Sequence, residues 1–147
     1  MADDLYDHDF YLWTQFQAAA LRTRSANTLD YDMLAEEVGD MGRRDARECA
    51  SRVRTILEQL MKLATTRQDA PRAGWRNTIR VQRYDLARAL TRTLRTLLET
   101  DLDALHEEAR TLAADSLAIL EPDAPPLDPS RRWTLAQVLG EADDPLA

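Results

Sequence analysis

From Trp75 to Leu120 the chain runs 46 residues without a proline or a glycine. Within that stretch Ile79, Leu86, Leu90, Leu94, Leu97, Leu102, Leu105, Leu112 and Leu117 recur at helical rather than alternating spacing. Strands need period-two patterning and turn residues to bound them, and neither is present. As a single rod the stretch would measure roughly 69 Å at 1.5 Å per residue. That is too long for a compact domain of 147 residues, so the segment has to turn back on itself. The expected fold class is all-α: a four-helix-type bundle with additional short helices.

The flanking segments supply the other helices. A first one is expected from about residue 8 to 23, with Asp7 as N-cap and Tyr6 stapled onto Tyr11. Phe10, Trp13, Gln17 and Ala20 share one face, which Leu12, Phe16 and Ala19 widen. Such breadth implies a helix covered on more than one side. Asp30 caps a short second helix, with Leu29 and Leu34 as its staple and Leu34 and Val38 facing inward. Gly39 and Gly42 are expected to stop or bend it. A third helix follows over about 43–68, its stripe formed by Ala46, Cys49, Val53, Ile56, Leu57, Leu60, Leu63 and Ala64. Pro71 and Gly74 end it and reset the chain direction.

Pro122, Pro125, Pro126 and Pro129 make 121–131 an extended strap. Thr134 and Gln137 then form a capping box, with Trp133 and Val138 as its staple. A terminal docking segment over 132–142, helical from about 135, follows from those signals. The whole chain, 1–147, reads as one helical domain.

Composition narrows the function classes. One cysteine, Cys49, permits neither an intrachain disulfide nor a thiolate zinc site. The acidic opening Met1–Asp7 lacks the apolar core of a secretory leader, and no apolar run approaches the roughly 18 residues of a membrane span. A soluble cytoplasmic chain with no membrane partner is therefore expected. The net charge of −7 is polarised: residues 1–41 hold nine acids and two bases, whereas 42–95 hold fourteen bases and five acids. Residues 96–128 turn acidic again, with nine acids and one base. A basic middle between acidic ends suits helices that pack with complementary charges, within one bundle or across a dimer.

Several short motifs fall in a recognisable order. Tyr6, Asp9, Phe10, Tyr11 and Trp13 are followed by Leu29-Asp30, by Leu34-Ala35-Glu36-Glu37, and by Met41-Gly42. Ser51-Arg52, Gln59-Leu60-Met61-Lys62, and Trp75 with Thr78, Ile79 and Arg83 complete the series. On these the chain resembles the bacterial helical family catalogued as domain of unknown function 29, from Tyr6 to about Leu139. The resemblance implies a helical bundle and brings no catalytic residues with it. It also places the break in the long stretch: relatives carry Ser-Pro-Ser-Leu where this chain has Thr91-Arg92-Thr93-Leu94, so Thr91 or Thr93 should cap a new helix. Two positions depart from the pattern, Gln59 standing for a typical histidine and His106 for a typical tyrosine.

The weak catalytic candidates are Asp9, Glu36, Glu37 and His106. Asp7, His8, Asp9, Glu36, Glu37 and Asp40 form the densest set of oxygen and nitrogen ligands. Asp103 and His106 have the spacing that bundle metal sites use on one helix face. Two histidines are nevertheless too few for a di-iron bundle, and capping and ion pairing account for most of the acids, so no metal and no cofactor are expected. Arg52, Lys62, Arg76, Arg80 and Arg83 are candidates for interaction or structural polar contacts. Arg76, Arg80 and Arg83 share one side of their helix; Arg88, Arg92 and Arg95 share another. No helix-turn-helix pattern, zinc finger or stacking platform accompanies them. The favoured reading is a non-enzymatic helical interaction module with a protein partner or a homo-oligomer. The alternatives are a metal-dependent or carboxylate-based enzyme, and nucleic-acid binding through the 76–95 arginines.

Overall fold

The computed structural model describes residues 2–147, with side chains from Leu5 onward. It is an all-α bundle, with no strand among the described residues. The helices are α1 (Ala2–His8), α2 (Phe10–Arg22), α3 (Tyr31–Thr65), α4 (Arg72–Ala89), α5 (Arg92–Leu120) and α6 (Leu135–Leu139), with a one-turn 3₁₀ helix at Ala26–Thr28. Where a single domain over 1–147 is expected from sequence, packing resolves two compact units, one up to Arg44 and one from Asp45 to Ala147. The helix α3 contributes residues to both.

The N-terminal unit departs from expectation at its first cap. Asp7 lies inside α1, and Asp9 is the N-cap of α2, its Oδ1 accepting from the Leu12 N–H at 3.0 Å. Two short helices therefore replace one. Tyr6 packs edge-on against Phe10 and Trp13, with ring centroids 5.6 and 5.0 Å apart, and Tyr11 stays exposed. The predicted face is real in Trp13, Gln17 and Ala20, all buried, but Phe10, Leu12 and Phe16 are substantially exposed. The breadth of the face is not matched by cover.

Asp30 caps the next helix as expected, accepting from the Met33 N–H at 3.3 Å. That helix does not stop at Gly39 or Gly42. It continues for 35 residues to Thr65. Glycine in a helix interior costs about 1 kcal/mol relative to alanine, which weakens a helix without ending it. Neither residue adopts the left-handed conformation that terminates helices; among the glycines that conformation belongs to Gly140. Val38, expected inside, is exposed, while Leu34 is half-buried.

In the C-terminal unit the predicted stripe of α3 forms one wall of the core, through Cys49, Val53, Ile56, Leu57 and Leu60. Ile79 and Leu86 of α4 and Leu98, Leu105, Ala109 and Ala113 of α5 pack on it. Ala109 and Ala113 are fully buried, and their small side chains let neighbouring elements approach α5. The break between α4 and α5 falls at the predicted place: Thr91 is the N-cap of α5 and its hydroxyl accepts from the Leu94 N–H at 3.2 Å. Pro71 precedes α4 and Gly74 lies within its first turn, so the reversal belongs to the 66–71 loop, after α3 has ended.

The strap runs outside helical structure to Trp133, and α6 docks beyond it. Both halves of the Thr134–Gln137 capping box are made. Trp133, Leu135 and Val138 are buried in the common core, with Leu139 packed at its edge. Gly140 closes α6 at φ 74°, and a Cβ built there would lie 2.8 Å from Arg83 Nη1.

Two stability outcomes follow. Truncation after Pro129 removes Trp133, Leu135 and Val138, and a buried tryptophan alone is worth about 3–5 kcal/mol, so thermal melts should show a clear loss. Gly140→Ala should cost about 1–2 kcal/mol from the left-handed backbone alone, and more through the Arg83 contact, read by urea unfolding.

Candidate functional site

The N-terminal unit is organised by three polar contacts around aromatic rings. The Tyr6 hydroxyl donates to Glu37 Oε1 at 2.5 Å, tying α1 to α3. That bond is the first cause of a phenol held above its ordinary pKa. Gln17 Oε1 accepts from the Asp30 N–H at 2.9 Å, and its Nε2 donates to Thr28 O at 3.5 Å, tying α2 to the segment that opens α3. Phe10 and Trp13 stack at 5.8 Å. Beside these rings lies a cleft of about 450 Å³, lined among others by Leu5, Trp13, Phe16, Gln17, Ala20 and Thr28. The Trp13 Nε1–H is buried without an acceptor among the described residues.

The sequence-predicted carboxylates take up separate local tasks. Asp9 is the α2 cap. Glu36 is 71% exposed, 4.0 Å from Arg43. Glu37 is 14% exposed and also lies 3.7 Å from Arg44. One of the adjacent pair therefore turns inward, as the 100° step between helical neighbours requires. Its partners are Tyr6 and Arg44. Long-range partners such as Tyr6 carry no sequence signal of their own. Among the described residues no three His, Cys, Asp or Glu side chains are grouped as metal ligands.

His106 sits in the C-terminal unit with 1% of its surface exposed. Its Nε2 accepts from the Trp133 backbone N–H at 3.1 Å, and its Nδ1 lies 2.9 Å from Leu102 O. A backbone N–H can only donate, so Nε2 is the bare nitrogen and Nδ1 carries the proton to the carbonyl. The ring lies nearly parallel to the Trp133 indole, 6.3 Å away. Both nitrogens are thus engaged, Nδ1 within α5 and Nε2 in holding the strap to it. Burial pushes the imidazole pKa below its ordinary value; the Leu102 bond opposes that, Arg132 and Arg110 reinforce it, and Asp103 opposes it weakly.

The basic candidates are likewise largely engaged. Arg52 donates to Glu48 at 2.7 Å, Gln82 at 3.0 Å and Asp85 at 3.1 Å. Lys62 is buried, 3.3 Å from Glu58 and 4.9 Å over the Trp75 ring. Arg83 donates to the Val138 and Gln137 carbonyls at 2.8 and 3.0 Å and to both Asp144 oxygens, capping the last turn of α6. That contact is the main reason the Asp144 carboxyl is held below its ordinary pKa. Arg76 reaches Leu146 O at 3.3 Å, Arg95 pairs with Glu141, and Arg80 donates to Asn77 at 2.6 Å. Gln59, at the family's histidine position, is buried with no partner for its Oε1 among the described residues.

Sequence reasoning missed a second polar joint. Glu121 is buried and accepts from the Thr66 hydroxyl at 2.6 Å and the Arg67 N–H at 3.1 Å. Arg72 donates to Leu63 O and Thr66 O, capping the end of α3, while Glu121 holds the turn that follows.

Two measurements test these assignments. The unfolded chain protonates His106 near pH 6.5, whereas the fold holds the ring neutral to lower pH. The unfolded state then binds more protons as pH falls. The contribution is fully present above about pH 6.5 and is lost progressively below it. Melting temperatures between about pH 6.5 and 5 should fall less steeply in His106→Gln than in the parent. Separately, Glu37→Ala should lower the melting temperature and Glu36→Ala should leave it nearly unchanged, because only Glu37 leaves an inward Tyr6 hydroxyl without its acceptor.

No curated protein and no solved structure matches this chain. One family model does, over residues 5–142, nearly the full length and spanning both units. The chain belongs to the family described as domain of unknown function DUF29.

Proposed function

We propose that this chain is a non-enzymatic helical interaction module that docks a protein through the apolar surface of its N-terminal unit. The observation that carries the reading is the uncharged run of α2. From Phe10 to Leu21 it holds no ionisable side chain but Tyr11; Tyr11, Leu12, Phe16 and Leu21 are exposed, and Phe16 lines the 450 Å³ cleft. Tyr31, Val38 and Met41 add exposed apolar side chains on α3. Contiguous apolar surface rimmed by polar residues is what docking sites present. Aromatic residues carry a disproportionate share of interface energy.

The chemistry-bearing residues support the same reading. His106, Glu37 and Arg83 are all committed to bonds between elements, so using them on a substrate would cost the fold. Among the described residues no helix is long and apolar enough to cross a membrane.

The test is a photo-cross-linking residue placed at Phe16, with one at exposed Ala104 of α5 as the control, in cells of the protein's source. A polypeptide adduct at Phe16 in clear excess over the control is the expected result. Equal yields at the two positions would overturn the proposal.

A further inference from the structure

Two exposed arginines of the C-terminal unit pair with no carboxylate among the described residues, and both border one cavity. Arg131, in the strap, makes no hydrogen bond or ion pair through its guanidinium there; it stands 6.0 Å over the Trp133 ring. Arg76, in α4, donates through Nη1 to Leu146 O at 3.3 Å, and its other donors have no protein acceptor among the described residues. Together with Arg72 they line a cavity of about 160 Å³, whose remaining lining is apolar, Leu63, Trp133 and Leu146 included. None of the residues lining it is acidic. The acids nearest in sequence are directed elsewhere. Asp128 Oδ1 accepts from the Ser130 N–H and hydroxyl at 2.9 and 2.6 Å, and Asp69, 3.7 Å from Arg72 Nε, is fully exposed.

We infer that this cavity binds a phosphoryl group, with Arg76 and Arg131 as its donors and Arg72 as a fixed charge beside them. The Arg72 fork is held by Leu63 O and Thr66 O at 3.2 and 2.9 Å, so its position is set by the end of α3. It also opens α4, which has no acidic residue in its first turn, so the positive pole of that helix adds to the same field. Cations gathered against an apolar wall repel one another, and an anion seated among them replaces that repulsion by attraction. Guanidinium forks match the oxygens of phosphate as point-charged amines do not. A tetrahedral dianion can meet donors arriving from α4 and from the strap at once, where a planar carboxylate presents one charge and two oxygens. Size sets the ligand's scale. The cavity holds about five water volumes of roughly 30 Å³ each, well short of the roughly 300–1,000 Å³ that encloses a drug-sized molecule. It takes the phosphoryl group and leaves whatever bears that group outside. The site lies wholly within the C-terminal unit and is independent of the N-terminal docking surface.

Isothermal titration calorimetry of the full chain with inorganic phosphate up to about 10 mM, at low salt and without other oxyanions, is the test. One saturable site per chain is expected. Arg131→Gln and Arg76→Gln should each weaken binding by at least about tenfold, with unchanged circular dichroism because both side chains are exposed. Arg88→Gln removes the same charge from an exposed position of α4 that does not border the cavity. It should leave the affinity within about twofold. Acetate should bind at least about tenfold more weakly than phosphate. A parallel titration with glycerol 3-phosphate separates the two sources of the group: whichever compound binds more tightly identifies the ligand as free phosphate or a phosphate ester. No saturable binding of either compound, equal weakening by Arg88→Gln and Arg131→Gln, or acetate binding as tightly as phosphate would each overturn the inference.

Discussion

The C-terminal unit depends on one neutral imidazole. A proline-rich strap has few backbone donors to offer, since each proline removes one. It must therefore be fixed at the donors it retains. The Trp133 N–H is such a donor, and His106 meets it with the nitrogen that the Leu102 carbonyl leaves bare. Once that bond is made, the Trp133 side chain is committed to the core and Thr134 begins α6. The Arg83 guanidinium can then cap α6 from α4 while Asp144 neutralises it. Three helices and the strap thereby share one polar seam over an apolar core. Removing the ring's acceptor would leave a buried N–H unsatisfied, at a cost of about 1–3 kcal/mol.

The charge pattern along the chain finds its explanation in seams of this kind. Arg52 with Asp85 joins α3 to α4, Arg54 with Glu108 joins α3 to α5, and Arg95 with Glu141 joins α5 to the end of α6. These pairs are partly exposed, so each adds little to stability, about 0–1 kcal/mol at most. Their greater effect is on register. A helix slid by one turn would pull each of these arginines away from its carboxylate. Complementary charge thus selects one alignment among several that the leucines alone would accept.

What could be read from the sequence was whatever is encoded locally. The Thr134–Gln137 box, a threonine cap at Thr91 or Thr93 and the α3 stripe depend on neighbours within four residues; the structure makes the box, chooses Thr91, and buries the stripe from Cys49 to Leu60 while leaving Ala64 exposed. The errors share a cause as well. Asp7 and Asp9 are both good caps, and the choice between them depends on Tyr6 packing onto Phe10 and Trp13 and reaching Glu37, thirty-one residues away. Gly39 and Gly42 signal a break locally, yet a 35-residue helix absorbs their cost because its later turns are anchored in a core. Glu121 and Gln17 act across long separations, and no spacing rule reveals them. His106 and Arg83 stood out as residue types, but their tasks depended on where the strap lands.

The two units differ in how they use apolar side chains, and that difference bears on function. In the C-terminal unit the apolar stripe of α3 is covered, and the polar groups beside it are satisfied. In the N-terminal unit the uncharged Phe10–Leu21 run of α2 and the start of α3 leave large side chains, Phe16, Tyr31, Val38 and Met41 among them, substantially exposed. Isolated exposed apolar residues are ordinary on any protein. A concentration of them on two adjacent helices is costly to solubility, and here the surrounding acids offset that cost. The acids beside these side chains, Asp30, Asp32, Glu36 and Glu37, set this surface apart from the covered stripe of the C-terminal unit, where leucines and alanines meet across α3, α4 and α5.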